Sequence, residues 1–391
     1  MIRNKIIIWG RDDFNTLGLL RELGSVGLSV IFLIKGDKSY ASQSKYCKEY
    51  VSYATTEECA EYLLTAFKNE SLKPILILSG DKISVYVDDK KELFSRYFII
   101  PGSKKGLLRK YTDKNNMTEL ASHLGIQCPK SHYIRWDSDI SGIDYPCLIK
   151  PSHQKKSSYN EFKFRICRTE SDLKKTLKYV NHESEFIVQQ YINKDYEILI
   201  YGARMWDDNT VFAGAFRKER LADSGSGSFG IISGIPSFIN TKLISDYLEY
   251  IDYHGLFSFE YGVIGNNAFF FEVNLRNDGT SHYFYQAGLN IPLAYVYSCV
   301  NKEYNSIITS NISNAVFIDE VFDIENVIKM KISYKQWKKD KDQATIYKYY
   351  DVNDMAPWSY VYRRRWIQII QDLVLNKFRL YIIYILDKIK R

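Results

Sequence analysis

The chain has 391 residues, 46% apolar and 25% charged, which is ordinary for a folded protein and exceeds the roughly 250 to 300 residues at which one core stops growing, so two or three lobes are expected. Its net charge of +7 sits mostly in residues 358–391, where eight Lys and Arg face two Asp; the nearly neutral remainder excludes a broad nucleic-acid-binding surface. Six scattered cysteines, with no CxxC pair and no histidine at ligand spacing, exclude a zinc site and a disulfide framework and fit a cytoplasm best, as does a beginning with no secretion-signal pattern.

Residues 5–9 and 28–34 read as apolar strands around a helical segment at 15–23. Apolar runs at 74–78, ending in Ser79-Gly80-Asp81, and at 97–100 continue the alternation. This predicts a parallel sheet covered by helices on both faces. Gly10 begins no GxGxxG, so a dinucleotide site is not supported, and the lobe is read as scaffold with one edge contributing to substrate binding.

Residues 111–123 predict a helix with Thr112 or Asp113 as N-cap and Lys114 near its start. Strands are expected at 131–135 and 145–150, the second ending in Lys150, where an ammonium can aim at phosphate as a point charge. The stretch 152–160, SHQKKSSYN, is a basic, hydroxyl-rich loop without glycine. A strand at 186–192 (FIVQQYI) runs through a turn into another at 196–201, with Glu197 near its start. Such a hinge can line a flat aromatic ligand while a carboxylate reaches sugar hydroxyls. The strand at 211–216 leads into Arg217, Lys218 and Arg220. The Gly/Ser stretch 224–230, which includes Ser226 and Gly227, then suits a flexible lid over anionic substrates.

Residues 256–263 and 269–279 (FFFEVNLRNDG) read as a hairpin. In an extended strand alternate side chains share a face. Glu272, Asn274 and Arg276 then point one way and Phe271, Val273 and Leu275 the other. If the loop is Gly265 to Asn267, Ile264 pairs with Ala268 and Glu260 falls opposite Glu272; a two-residue loop would break that register. Facing carboxylates repel unless a hard divalent cation sits between them, and Mg²⁺ bound together with nucleotide phosphates is the usual case. The alternative is a solvated polar face on an edge hairpin. Asp278, His282 and a helical run at 283–289 follow, with further helix and strand material at 320–331 and 343–349.

From 360 to 390 apolar residues recur at intervals of three, four or seven, which reads as an amphipathic helix. Its uncharged run is far short of the about 20 residues that span a bilayer. It is expected either to lie on an anionic membrane surface through its arginines and Trp366, or to pack on its own protein or on a second subunit of a homodimer.

The order of these pieces resembles the ATP-grasp superfamily over roughly residues 111–350: Lys114, Lys150 ending a strand, the QQYI hinge with Glu197, Glu260, then E-x-N-x-R. Residues 5–101 look like the domain that precedes it, and the nearest likeness is to carboxylate–amine ligases of cell-wall and surface-polysaccharide precursors, such as the D-aspartate ligase group. The resemblance implies a mixed α/β and α+β fold: a Rossmann-like domain at 1–110, a small lobe and hinge at 111–200, a metal-bearing lobe at 201–356 and a basic helical tail at 357–391. It implies ATP and Mg²⁺, or Mn²⁺, as cofactors. Lys114 and Lys150 would contact phosphates, Gln189, Gln190, Tyr191 and Ile192 would hold adenine, and Glu197 the ribose. Glu260, Glu272 and Asn274 would hold the metal, and Arg276 with Arg217 or Lys218 would steady the transferring phosphate. Arg220, Ser226, Gly227, Asp278 and His282 are candidates for the substrate side, with Asp278 or His282 as proton acceptor for an amine. The departure is the missing glycine-rich loop at 152–160. The implied reaction is amide formation through an acyl phosphate, with a small-molecule or glycan-precursor carboxylate and an amine as substrates, at the inner membrane face; the alternatives are another ATP-grasp chemistry or a non-catalytic nucleotide-binding, membrane-associated protein.

Overall fold

The computed structural model describes residues 2–102, 104–152, 162, 164–222, 225–308, 312 and 314–371. The loop from 153 to 160, Ser224 and the tail beyond 371 lie outside the described residues.

The first part of the chain alternates β1 (Ile6–Gly10), α1 (Phe14–Gly24), β2 (Val30–Lys35), β3 (Glu49–Tyr53), α2 (Thr56–Ala66), β4 (Ile75–Leu78), α3 (Asp81–Asp89) and α4 (Lys91–Tyr97). The strands form a parallel sheet in the order β3-β2-β1-β4. Every residue of β1 and β4 is buried because helices cover both faces. Leu17, Leu20 and Leu23 of α1 pack on one side, Cys59, Leu63, Ile83, Val87 and Phe94 of α2 to α4 on the other. Asp13 starts α1 through a reciprocal capping box with Thr16. The strand expected at 97–100 is reduced to one bridge, Ile75 to Ile99, because Tyr97 still belongs to α4 and Pro101, with no N–H to donate, follows directly.

The helix expected at 111–123 is two helices, α5 (Leu107–Thr112) and α6 (Lys114–His123). The break is Asp113, whose side chain accepts from the backbone N–H groups of Asn115 and Asn116 at 3.0 and 3.2 Å, so that Lys114 opens α6. Next come β5 (Ser131–Ile134), β6 (Cys147–Pro151), β7 (Arg165–Cys167), α7 (Glu170–Leu177) and β8 (Phe186–Gln190), an antiparallel sheet in the order β5-β8-β6-β7. Cys147, Ile149, Phe186 and Val188 face Leu173 and Leu177 of α7. Leu148, Lys150, Ile187 and Gln189 therefore look out from the opposite face.

The largest sheet runs β13-β12-β9-β10-β11-β14-β15. It comprises β9 (Tyr196–Arg204), β10 (Thr210–Leu221), β11 (Gly227–Ser233), β12 (Gly255–Ile264), β13 (Asn267–Asn274), β14 (Ala315–Ile318) and β15 (Ile346–Tyr347). Its helices are α8 (Thr241–Tyr250), α9 (Ser281–Gln286), α10 (Ile291–Ser298), α11 (Glu325–Ile328) and α12 (Tyr334–Gln343). One face packs Ile198, Phe257, Phe259 and Val273 against α8 and α6. The other packs Leu199, Tyr201 and Phe216 against α9, α10 and α1. The expected lid at 224–230 is, from Gly227 on, strand β11 paired to β10 and β14. A Cβ at Gly227 or Gly230 would stand 2.7 or 2.5 Å from the Phe216 ring, so these glycines serve strand packing, not mobility. A helix over residues 355–371 follows, held by an Arg365–Glu325 ion pair of 2.6 Å.

Candidate active site

The hairpin closes with a two-residue loop: Ile264 pairs with Asn267 and Val263 with Ala268, not Ile264 with Ala268. That loop alone would set Glu260 against Phe271. A β-bulge between Tyr261 and Glu260 inserts Phe271 as an extra residue and brings Glu260 opposite Glu272 after all. The expected carboxylate pair exists, by a different route. The bulge also changes a face: Val273 and Leu275 are core, but the Phe271 ring lies against Gly262, where a Cβ would stand 2.2 Å from it, with Lys194 Nζ 5.5 Å from the ring centroid.

Adjacent strands extend this face. Glu197 of β9 pairs with Lys218 of β10 and with Gly262 of β12. Lys218 Nζ donates to Glu260 at 2.6 Å and to Glu197 at 3.2 Å, and Lys194 reaches Glu197 at 3.1 Å. Across the hairpin, Lys114 Nζ donates to Glu272 at 2.9 Å. Burial raises the Glu260 carboxyl pKa despite the opposing pull of Lys218. Burial would raise Glu272 too, but Lys114, with Lys218 and Arg276, outweighs it and the net shift is downward. Lys150, on the outward face of β6, is lowered by burial first and by Lys114 second, while Glu272 opposes. Lys114, Lys150, Glu197, Lys218, Glu260 and Glu272 thus form one field of alternating charge.

Asn274 donates to Ser258 Oγ at 3.1 Å and accepts from Arg276 at 3.0 Å. Arg276 also pairs with Asp81 at 2.6 Å, from the start of α3. The next residue, Asn277, exchanges hydrogen bonds with Asn15 of α1, so two elements of the parallel sheet's domain reach this edge. Asp278 accepts from the backbone and hydroxyl of Thr280 at 2.9 and 2.7 Å, and its charge adds to the raised pKa of Glu260. At the hinge, Gln189 Nε2 donates to Ser131 Oγ at 3.0 Å, Gln190 Oε1 accepts from the Lys130 amide at 3.4 Å, the Tyr191 amide donates to the Pro146 carbonyl at 3.0 Å, and Ile192 is buried.

Three expected residues lie elsewhere. Arg217 alternates with Lys218 and projects from the opposite face of β10, where it pairs with Glu219 and covers Tyr196. Arg220 is bound by Asp323 at 2.7 Å and Asp340 at 2.6 Å, an internal tie between β10, α12 and the segment before α11. His282 is 1% exposed between α9 and α1, 3.4 Å from Arg21, and burial and that guanidinium push its pKa well down. A sealed histidine meets no amine, so the proton-acceptor role for His282 is withdrawn. Ser226 lies in the turn where its carbonyl accepts from Ala222, and Gly227 packs on Phe216 and the Lys218 stem. Sequence reasoning missed Phe271 on this face, Lys194, Ser258 and Asp81. Only Lys194 carried a signal, its place in the hinge turn beside Glu197.

Among the described residues no group of three or more His, Cys, Asp or Glu is arranged to hold a metal by itself. Glu260, Glu272 and the Asn274 amide supply a hard oxygen donor set that fits Mg²⁺ when phosphate and water oxygens complete the shell.

No protein-family model matches the chain. A curated relative, formate-dependent phosphoribosylglycinamide formyltransferase of Sulfurisphaera tokodaii, is 26% identical over 146 residues, covering 35% of this chain; the chain thus spans only 37% of that relative's length. Among solved structures, N5-carboxyaminoimidazole synthetase from Staphylococcus aureus superposes with TM-score 0.65 at 16% identity, covering 86% of each chain. The ADP complex of N5-carboxyaminoimidazole ribonucleotide synthetase gives 0.63 at 14% identity over 84% of each chain. L-amino acid ligase from Bacillus licheniformis gives 0.60 at 13% identity over 81% of this chain and 79% of that one.

Proposed function

We propose that this chain, whose fold is that of the ATP-grasp superfamily, is an ATP-dependent carboxylate–amine ligase that forms an amide through an acyl phosphate and releases ADP and phosphate. The observation that carries the reading is Glu260 opposite Glu272, each held by a lysine ammonium, with Lys150 in the same field. Phosphoryl transfer needs positioning and charge neutralisation more than covalent chemistry from the protein. Lys114 and Lys150 hold the phosphates in this reading, the Gln189 to Ile192 hinge lines adenine, Phe271 offers it an apolar ring, and Glu197 reaches the ribose. Mg²⁺ would sit with Glu260, Glu272 and Asn274 and would neutralise the transferring phosphate. Arg276 steadies the acyl phosphate, and Asp278, or a water or phosphate oxygen, accepts the proton of the attacking amine.

The test is Glu272→Ala: ADP release at saturating ATP should fall by on the order of a hundredfold or more. Unchanged turnover would remove the metal assignment. Because two of the structures named above are N5-carboxyaminoimidazole synthetases, carboxylation of an amine is the second reading, and ADP release with bicarbonate against ADP release with an added organic carboxylate, the amine being present in both, separates the two.

We propose further that the substrates are an amine, such as an amino acid, and a sugar acid or other envelope precursor, joined at the cytoplasmic membrane face. No described helix is long and apolar enough to cross a membrane. The helix 355–371 instead exposes Tyr362, Trp366, Ile367 and Ile370 beside Arg363 and Arg364, a composition suited to an anionic surface. Equal flotation with anionic liposomes of the full chain and of one cut after Ala356 would remove the membrane part, and a screen pairing acids with amines for ADP release identifies the substrates.

A further inference from the structure

Among the described residues, Arg276 is the one cation of the site held by a carboxylate from the parallel-sheet domain, Asp81, 195 residues away in sequence. Its Nε donates to Asp81 Oδ1 at 2.6 Å and its Nη2 to Asp81 Oδ2 at 3.3 Å, a two-point grip on the edge by which a guanidinium takes planar anions. Nη2 also donates to Asn274 Oδ1 at 3.0 Å and Nη1 to the Asn277 carbonyl at 2.9 Å. Four of the five N–H donors of an arginine are therefore engaged, and the Nε/Nη2 edge has none left for an anion.

The partners differ in how readily they leave. Asn274 and Asn277 belong to the arginine's own segment and anchor it in place. Asp81 is charged, its side chain is 53% exposed against 17% for Arg276, and it sits in the first turn of α3, where the helix N-terminus favours its charge with or without the arginine.

We propose that Asp81 is a placeholder for the reacting oxyanion: it occupies the Nε/Nη2 edge of Arg276 until a substrate carboxylate or phosphoryl group displaces it. This rests on the ligase reading for the identity of that oxyanion. Released Asp81 remains solvated at the start of α3, while Arg276 stays aimed at the site by its two asparagine contacts. The pair therefore ties the availability of Arg276 to the arrival of an anion.

The test is calorimetric titration of the full chain with inorganic phosphate and, separately, with acetate, in the presence and absence of Mg·ADP. Asp81→Asn, and Asp81→Ser as a second variant, should bind at least one of these anions roughly fivefold more tightly than the wild type. Adding Arg276→Gln should abolish the gain, and the anion that gains tells which oxyanion Asp81 replaces. Unchanged or weaker binding of both anions in both Asp81 variants, or a gain that survives Arg276→Gln, overturns the proposal. Failure of Mg·ADP to bind the wild type would count against the ligase reading and would leave the nucleotide-free titrations to decide the role of Asp81.

Discussion

The site face of the large sheet and the interface between α1 and α9 both bury carboxylates next to cations, and they do opposite things with them. On the site face Glu260 and Glu272 are 19% and 34% exposed, and their ammonium partners come from separate elements, Lys218 on β10 and Lys114 on α6. At the interface Arg21, Glu22, His282 and Asp354 are almost completely enclosed. Arg21 donates to Asp354 at 2.9 Å and to the carbonyls of Tyr349 and Asp354, tying α1 to the entry of the helix 355–371. Glu22 accepts from Ser281 at 2.9 Å, and burial, only partly offset by that hydroxyl, pushes its carboxyl up to about 8. Buried charge alone is therefore a poor guide to chemistry. In the proposed reading, partly exposed carboxylates held by cations from separate elements mark the reactive cluster, whereas closure on every side marks the structural one.

The largest effect expected of this contrast is on stability at the interface. Arg21→Leu leaves Asp354 without its guanidinium in a sealed setting and should cost about 3–5 kcal/mol in urea unfolding. Glu260→Gln should lower ADP release by on the order of a hundredfold with little change in the unfolding midpoint, because Lys218 keeps Glu197. A loss of stability in Glu260→Gln as large as that in Arg21→Leu would erase the distinction between the two clusters.

A second effect at the interface is the pH dependence of Glu22. Its folded pKa of about 8 lies above the ordinary 4.5, so the native state keeps a proton that the unfolded chain has lost. Stability should therefore fall as pH rises between those values and then level off. Glu320, pushed up to about 7 by burial beside Asp319, adds a slope of the same sign, so the reading is the difference between wild type and Glu22→Gln at pH 5 and pH 8. Parallel curves for the two proteins would show that Glu22 does not titrate in this window. The smallest effect is at the bulge: Phe271→Ala should weaken ATP binding by roughly fivefold, measured by titration calorimetry, as expected for loss of one ring against a base. Unchanged affinity would take Phe271 out of the adenine pocket.

Periodicity carried the elements that bound the site. Alternation placed Val273 and Leu275 in the core and Glu272, Asn274 and Arg276 on the other face, and all five stand so. The same alternation separates Arg217 from Lys218, so that error was avoidable from the strand pattern alone. His282 was not separable from Asp278 in this way, since neither lies on a strand: Asp278 follows β13 and His282 stands in the first turn of α9, whose packing against α1 sets its direction.

Local pattern along the chain was enough for the parallel sheet and the strand ends that carry Lys150 and Glu197, because a period of two and the chemistry of neighbouring residues are properties of short segments; the pairing of Glu260 with Glu272 was expected through a three-residue loop and is made instead by a two-residue loop and a bulge. The fold chose the rest. Phe270 and Phe271 are equally apolar, so nothing local says which of them the bulge ejects; the open space above Gly262 takes Phe271, and the core beside Tyr247 and Phe259 takes Phe270. Likewise the partners of Arg276, Arg220 and Arg21 lie 195, 103 and 333 residues away, and only the packing of whole domains decides which carboxylate each guanidinium meets.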